Sequence, residues 1–157
     1  MAKANKQAID PLLHLTYVLQ HLSDTNLSAI AGVGLSQVRL MSVLNDTVTH
    51  SQIKIAHDLQ QTEANVSRQI RLMKKDGLVS IERNKKDARI RDVKLTGNGA
   101  RKYKMGVKVL ATQQKELLKL LDKKEVKAFE RASSNLLAAL SIEANTHHHW
   151  LLTSDEG

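Results

Sequence analysis

The chain has no cysteine, so disulfides, thiolate zinc sites and sensors built on thiol oxidation are all excluded. It has one proline, Pro11, and aromatic residues make up only 3% of the chain. So few rings argue against binding nucleic acid by stacking bases on rows of Phe or Tyr. No apolar run approaches the length of a membrane span. Met1 to Gln7 is polar, without the apolar stretch of a signal peptide, so a cytoplasmic protein with no membrane role is expected. There is no glycine-rich phosphate loop, no nucleophile elbow and no pair of carboxylates beside a catalytic neighbour. Ser133-Ser134 falls within a helical pattern, where it reads as spacing rather than nucleophile. The sequence points away from an enzyme.

What is present is positive charge in one place. Between Ser51 and Lys108 stand 15 Lys and Arg against 6 Asp and Glu, a balance of +9. The remaining residues carry 9 basic and 10 acidic groups, so the chain's +8 belongs to one segment. A basic block between near-neutral flanks is the electrostatic footprint of a nucleic-acid-binding module. At 157 residues the chain is expected to form a single domain or one domain with extensions, large enough to bury a core without cross-links.

Pro11 suits the first turn of a helix with Asp10 as its N-cap. Leu12, Leu15, Leu19 and Leu22 recur at helical spacing; the pattern fades near Ser23 to Asn26, resumes toward Ile30 and is broken by Gly32 and Gly34. Leu35 to Leu44 gives a second helix, and Asn45 to His50 reads as a polar connection. Ser51 has N-cap chemistry for a short helix carrying Ile53, Ile55, Ala56 and Leu59. Gln60 and Gln61 make the turn. Thr62 caps the next helix, with Asn65 in place of the Glu or Gln of a full capping box. Val66, Ile70 and Met73 form its apolar stripe, and Gly77 ends it as a left-handed C-cap. Leu78–Arg83 and Ile90–Leu95 read as strands joined by a charged turn. Gly97-Asn98-Gly99 leads into a helix from Ala100 to Leu121. Asp122 caps a last helix with Val126, Phe129, Leu136, Leu137 and Leu140 on its apolar face. The tail from Asn145 is expected to fray. The fold class is mainly α with a small β wing.

Each helical residue turns about 100°. With Val66, Ile70 and Met73 inward, Ala64, Arg68, Arg71 and Lys75 point outward, and Ser67 lies at a margin. In helix-turn-helix proteins this second helix enters the major groove and its N-terminal residues meet the bases. An arginine can hold guanine O6 and N7 together, so Arg68 is the first candidate base reader, with Asn65 and Ser67 secondary. Arg71, Lys74 and Lys75 suit phosphates, which position without specifying. The hairpin offers Arg83, Lys85, Lys86, Arg89 and Arg91, and Arg89 is placed to enter a narrow minor groove. Asp87 would meet phosphate repulsion and instead braces the turn or orients Arg89 by hydrogen bonding. Ser51, Thr62 and Ala64 complete the candidate DNA-contacting set.

These residues resemble the winged helix-turn-helix of the MarR (multiple antibiotic resistance regulator) family. Ser51-Gln52-Ile53-Lys54-Ile55-Ala56-His57-Asp58-Leu59 resembles its "TQxELAxxL" helix, and Thr62-x-x-x-Val66-Ser67-Arg68 the start of its recognition helix. Met73-x-x-x-Gly77-Leu78-Val79 is similar to "LxxxGLV", Asp87-Ala88-Arg89 to the "DxR" of the wing, and Val93-Lys94-Leu95-Thr96-x-x-Gly99 to "VxLTxxG". Gly34-Leu35-Ser36-x-x-Arg39 resembles the family's second helix. The resemblance implies a homodimer held by its first and last helices, here 8–31 and 122–144, around a winged region 33–99, with a tail over 145–157. It implies a repressor of transcription that binds double-stranded DNA at a pseudo-palindromic operator and is released by a small aromatic or anionic effector. Ile81 departs from the basic residue usual at the start of the wing, Met73 from a usual Leu, and Ala88 from a common Arg.

Two other readings stand beside this one. Seven histidines raise a metal-responsive regulator of the same fold. However, His14 and His21, like His50 and His57, are two turns apart, too far to share an ion, and no His-x-x-x-His pair occurs. His147-His148-His149 is either a loose metal binder or a remnant foreign to the natural chain. A winged-helix adaptor that binds protein is the other reading, and it would tolerate charge reversal at Arg68, Arg71, Lys86 and Arg89. Tyr17, His14, His21 and Arg39 are groups on helices that could line an effector cleft, and roles in the core or on the surface fit them equally.

Overall fold

The computed structural model describes residues 10–45, 50–84, 87 and 89–141, with the backbone alone for Asp10, Leu140 and Ser141. Six helices and three strands follow in the order α1 (Asp10–Ala31), α2 (Leu35–Leu44), β1 (His50–Ser51), α3 (Gln52–Asp58), α4 (Glu63–Lys75), β2 (Val79–Arg83), β3 (Arg91–Leu95), α5 (Gly97–Leu118) and α6 (Lys123–Ser141). The mainly helical fold with a small β wing is as the sequence predicts. The side chain of Asp10, residues 8–9 and 142–144 of the expected outer helices, the tail, Lys85, Lys86 and Ala88 lie outside what is described.

The helix ends follow local chemistry. Ser51 Oγ accepts from the Lys54 N–H at 3.2 Å, and Thr62 Oγ1 from the Asn65 N–H at 3.3 Å. Each satisfies a donor that the first helical turn leaves without a partner. Gly77 has φ of 68° and closes α4, its N–H reaching the Lys74 carbonyl while the Leu78 N–H reaches that of Met73. That paired arrangement needs a left-handed residue, which glycine supplies without a Cβ penalty. Asp122 and Glu125 form a full capping box on α6: Asp122 Oδ1 accepts from the Glu125 N–H at 2.9 Å, and Glu125 Oε2 from the Asp122 N–H at 2.7 Å.

Several boundaries differ from the sequence reading: β2 and β3 begin one residue later, at Val79 and Arg91, α3 stops at Asp58, and larger differences fall at His50 and at both ends of α5. His50 is not part of a polar connection; it opens β1, pairs with Val93 across an antiparallel ladder and is buried. A two-residue strand carries too little pattern to register as one, yet it covers the edge of β3 and gives the sheet its order β1-β3-β2. Gly97, Asn98 and Gly99 are the first turn of α5 rather than its approach, because Thr96 caps it, its Oγ1 accepting from the Gly99 N–H at 3.0 Å. At the other end α5 stops at Leu118, three residues before the expected end, where the turns tighten into Lys119–Leu121.

One core joins all of the winged region. Val38, Leu40, Met41 and Leu44 of α2, Ile55 of α3, Val66, Ile70 and Met73 of α4, and Val79 and Val93 of the sheet bury together. Leu27 and Ala31 from α1 and Tyr103 and Val109 from α5 close it from the other side. Removing this much apolar surface from water is what holds the short α3–α4 pair in place. Among the described side chains, those of the amino-terminal half of α1 and of the apolar face of α6 take no part. Leu12, Leu13, Leu15, Tyr17, Phe129, Leu136 and Leu137 are exposed. The stripe of Leu12 and Leu15 is therefore not an intramolecular core within the described residues.

Candidate nucleic-acid interface

α4 is built to present one polar face. Its 13 residues are capped at both ends, and the stripe Val66–Ile70–Met73 is fully buried. The opposite side carries Ala64, Asn65, Arg68, Arg71, Lys74 and Lys75, all exposed, with Ser67 half-buried at the margin. The helical period thus turns Ala64, Arg68, Arg71 and Lys75 outward and leaves Ser67 at the margin, as the sequence reading set them; Asn65 and Lys74 are exposed on the flanks of the stripe. Leu72 is also exposed on α4, an apolar residue that reading passed over.

The cations on this face are not equivalent. Arg71 Nε donates to the Ser67 carbonyl at 3.3 Å, which lays its guanidinium along the helix. Among the described residues the side chains of Arg68, Lys74 and Lys75 have no hydrogen-bond or ion-pair partner. Their charge stays available to a ligand. Ser51 and Thr62 each use one hydroxyl lone pair on a helix cap and keep the proton to donate. Lys74 and Lys75 stand in the last turn of α4, where the helix dipole also favours them.

Leu78 carries the chain from the α4 cap straight into β2, so the helix and the hairpin are joined without slack. β2 and β3 pair in register from Val79↔Leu95 to Arg83↔Arg91. The turn at their end is cross-braced. Asp87 Oδ1 accepts from the Arg89 N–H at 2.9 Å, Asn84 Oδ1 accepts from the Asp87 N–H at 3.1 Å, and Asn84 Nδ2 donates to Asp92 Oδ2 at 2.9 Å. Asp87 braces the turn, as expected, through the backbone of Arg89. The Asn84–Asp92 bridge was not foreseen, because the two residues meet only once the strands pair. Arg83 and Arg89 are exposed at this end of the hairpin.

Some of the basic block is consumed internally. Lys102 Nζ donates to the Ala31 carbonyl at 2.6 Å, placing a cation on the C-terminal end of α1. Lys94 pairs with Glu82 across the hairpin at 3.3 Å. Neither was on the candidate list. Among the described residues Lys54, Arg91, Lys104 and Lys108 of the block are exposed and as uncommitted as Arg68, Lys74 and Lys75.

The groups considered for an effector or a metal are also placed. Tyr17 and His21 stack on the exposed side of α1, their ring centroids 6.4 Å apart and their planes 7° from parallel. Among the described residues no three His, Asp or Glu side chains stand together as a metal site. No single helix among them is long and apolar enough to cross a membrane.

No protein-family model matches the chain, and no curated protein matches it either. Solved structures share its fold. A MarR-like transcription regulator from Bacillus cereus superposes with a TM-score of 0.74 at 23% identity, covering 92% of this chain and 100% of the other. AbsC, a MarR family transcriptional regulator from Streptomyces coelicolor, gives 0.71 at 19% identity, with 89% and 96% covered. MepR of Staphylococcus aureus, in a complex with DNA, gives 0.67 at 20% identity, with 82% and 94% covered. The element order, the capped α3–α4 pair and the three-stranded wing are those of the MarR winged-helix fold.

Proposed function

We propose that this chain, with the winged-helix fold of MarR-family regulators, is a sequence-specific double-stranded-DNA-binding regulator of transcription and has no enzymatic activity of its own. One observation carries the reading: α4 turns Arg68, Lys74 and Lys75 outward, none with a partner among the described residues, opposite a fully buried stripe. The solved complex of MepR with DNA supports it on a chain of the same fold. α4 enters the major groove, Arg68 reads a base edge, Arg71, Lys74 and Lys75 hold phosphates, and the hairpin sets Arg89 toward the adjacent minor groove.

The working unit is a homodimer. The apolar faces of α1 and α6 support this, since Phe129, Leu136 and Leu137 lie open to solvent in the single chain. Exposed apolar surface of this kind is what a two-fold interface covers. Two recognition helices related by the axis read half-sites about 34–36 Å apart. The protein acts as a repressor, and a small aromatic or anionic effector that binds better at another helix spacing releases it.

Selection of bound sequences from random duplex DNA, with the oligomeric state measured alongside, tests the whole reading. A pseudo-palindromic site bound by a dimer is the expected result, with log affinity falling steeply as log salt rises. A monomer that ignores duplexes in dilute buffer would refute it.

A further inference from the structure

Gln61, in the turn before α4, is bonded to two side chains of the recognition helix. Its Oε1 accepts from Asn65 Nδ2 at 3.1 Å and from Gln69 Nε2 at 2.7 Å. The backbone beneath it is fixed. Gln60 takes a left-handed φ of 51°, and the Gln61 N–H donates to the Ala56 carbonyl at 2.9 Å. Gln61 and Gln69 are half-buried, and Asn65 is exposed beside Arg68. Helix capping does not call for this cluster, because Thr62 already serves the Asn65 N–H.

Resting on the DNA-binding reading above, we propose that Gln61 is a positioning residue that presents Asn65 to an adenine. Each half-site then carries an A·T pair read by Asn65. A primary amide has two N–H donors and one carbonyl acceptor. Gln61 takes one donor of Asn65, which leaves one N–H and Oδ1. Those two are the pair that meets adenine N7 and N6 in the major groove. Gln69 holds Gln61 from behind. Asn65 therefore enters the groove with its torsions already fixed, and less rotamer freedom is lost on binding. Arg68, with no partner among the described residues, keeps its freedom until it meets DNA.

The test is sequence selection from randomised duplex DNA with the full chain and the variants Asn65→Ala, Gln61→Met and Gln61→Glu, each checked for folding by circular dichroism. Wild type selects an A·T pair at one position of each half-site. Asn65→Ala lowers that preference about tenfold. Gln61→Met, similar in size but without the amide, lowers it roughly threefold at that position and no other. Gln61→Glu keeps an acceptor oxygen in the place of Oε1 and keeps the preference. A Gln61→Met site identical to wild type at every position overturns the inference while leaving DNA binding intact. If Gln61→Met does not fold, Gln61→Glu decides, and loss of the A·T preference there overturns it. Wild type that enriches no sequence removes the DNA-binding reading and this inference with it.

Discussion

The backbone carbonyl of Leu78 occupies the space that a side chain at Gly99 would need. Leu78 leaves α4 for the wing, and Gly99 sits in the first turn of α5. Thr96 reinforces the junction, its Oγ1 donating to the Gly77 carbonyl at 2.6 Å. The recognition helix, the hairpin and α5 thus meet at one close-packed point, and a shift of α5 must be felt at α4.

Gly99→Ala forces a Cβ against backbone, which cannot rotate away as a side chain can. Its thermal and urea midpoints should fall, by about 1–3 kcal/mol of stability. Gly97→Ala is the control, since nothing lies within 4 Å of a Cβ there. Equal midpoints for the two variants would contradict the packing described.

Gln60 holds a left-handed conformation that costs a non-glycine residue about 1–2 kcal/mol. Gln60→Gly should be neutral or stabilising by up to about 1 kcal/mol, while Gln60→Val should destabilise by more than about 1 kcal/mol. Urea titration of both variants checks the opposite signs. The same turn carries Gln61, so the measurement also tests the platform under Asn65.

Arg68→Ala should cost about 1–3 kcal/mol of preference for the selected site over random DNA. Lys75→Ala should instead weaken both equally and reduce the salt slope by about 1. Titrations of the two variants at several salt concentrations separate the roles. An unchanged ratio for Arg68→Ala would remove it as a base reader.

Tyr103 is buried in the core, and burial raises its phenol pKa above the ordinary value of 10.0. The unfolded chain releases this proton near its ordinary pKa while the folded chain retains it. The stability Tyr103 contributes is therefore complete below that pKa and is lost as pH rises through the folded value. Urea midpoints from about pH 9 to about pH 11 should drop less for Tyr103→Phe than for wild type. Parallel curves would show that Tyr103 does not contribute to the alkaline loss.

Local chemistry made much of the molecule legible in advance. Ser51, Thr62 and Gly77 mark helix ends because a cap depends on residues three or four places away. The stripe Val66–Ile70–Met73 fixed which way Arg68 points for the same reason. His50 escaped, since its strand exists only through Val93 in a distant part of the chain. The Asn84–Asp92 bridge escaped because it forms across a hairpin. Gln61 read as a turn residue, and nothing local indicated that its side chain would fold back over α4 to reach Asn65 and Gln69.

Composition and spacing by themselves determined that the positive charge is concentrated in one segment and that this segment forms a capped helix pair followed by a hairpin. They did so because helical period and capping are short-range. Which of those charges remain free was decided by tertiary structure. Lys102 is committed to the Ala31 carbonyl, 71 residues away in sequence, and Lys94 to Glu82 on the neighbouring strand. A charge is available only when folding brings no partner to it; helical period offers Arg71 the Ser67 carbonyl one turn away, but the partners of Lys102 and Lys94 come from other elements.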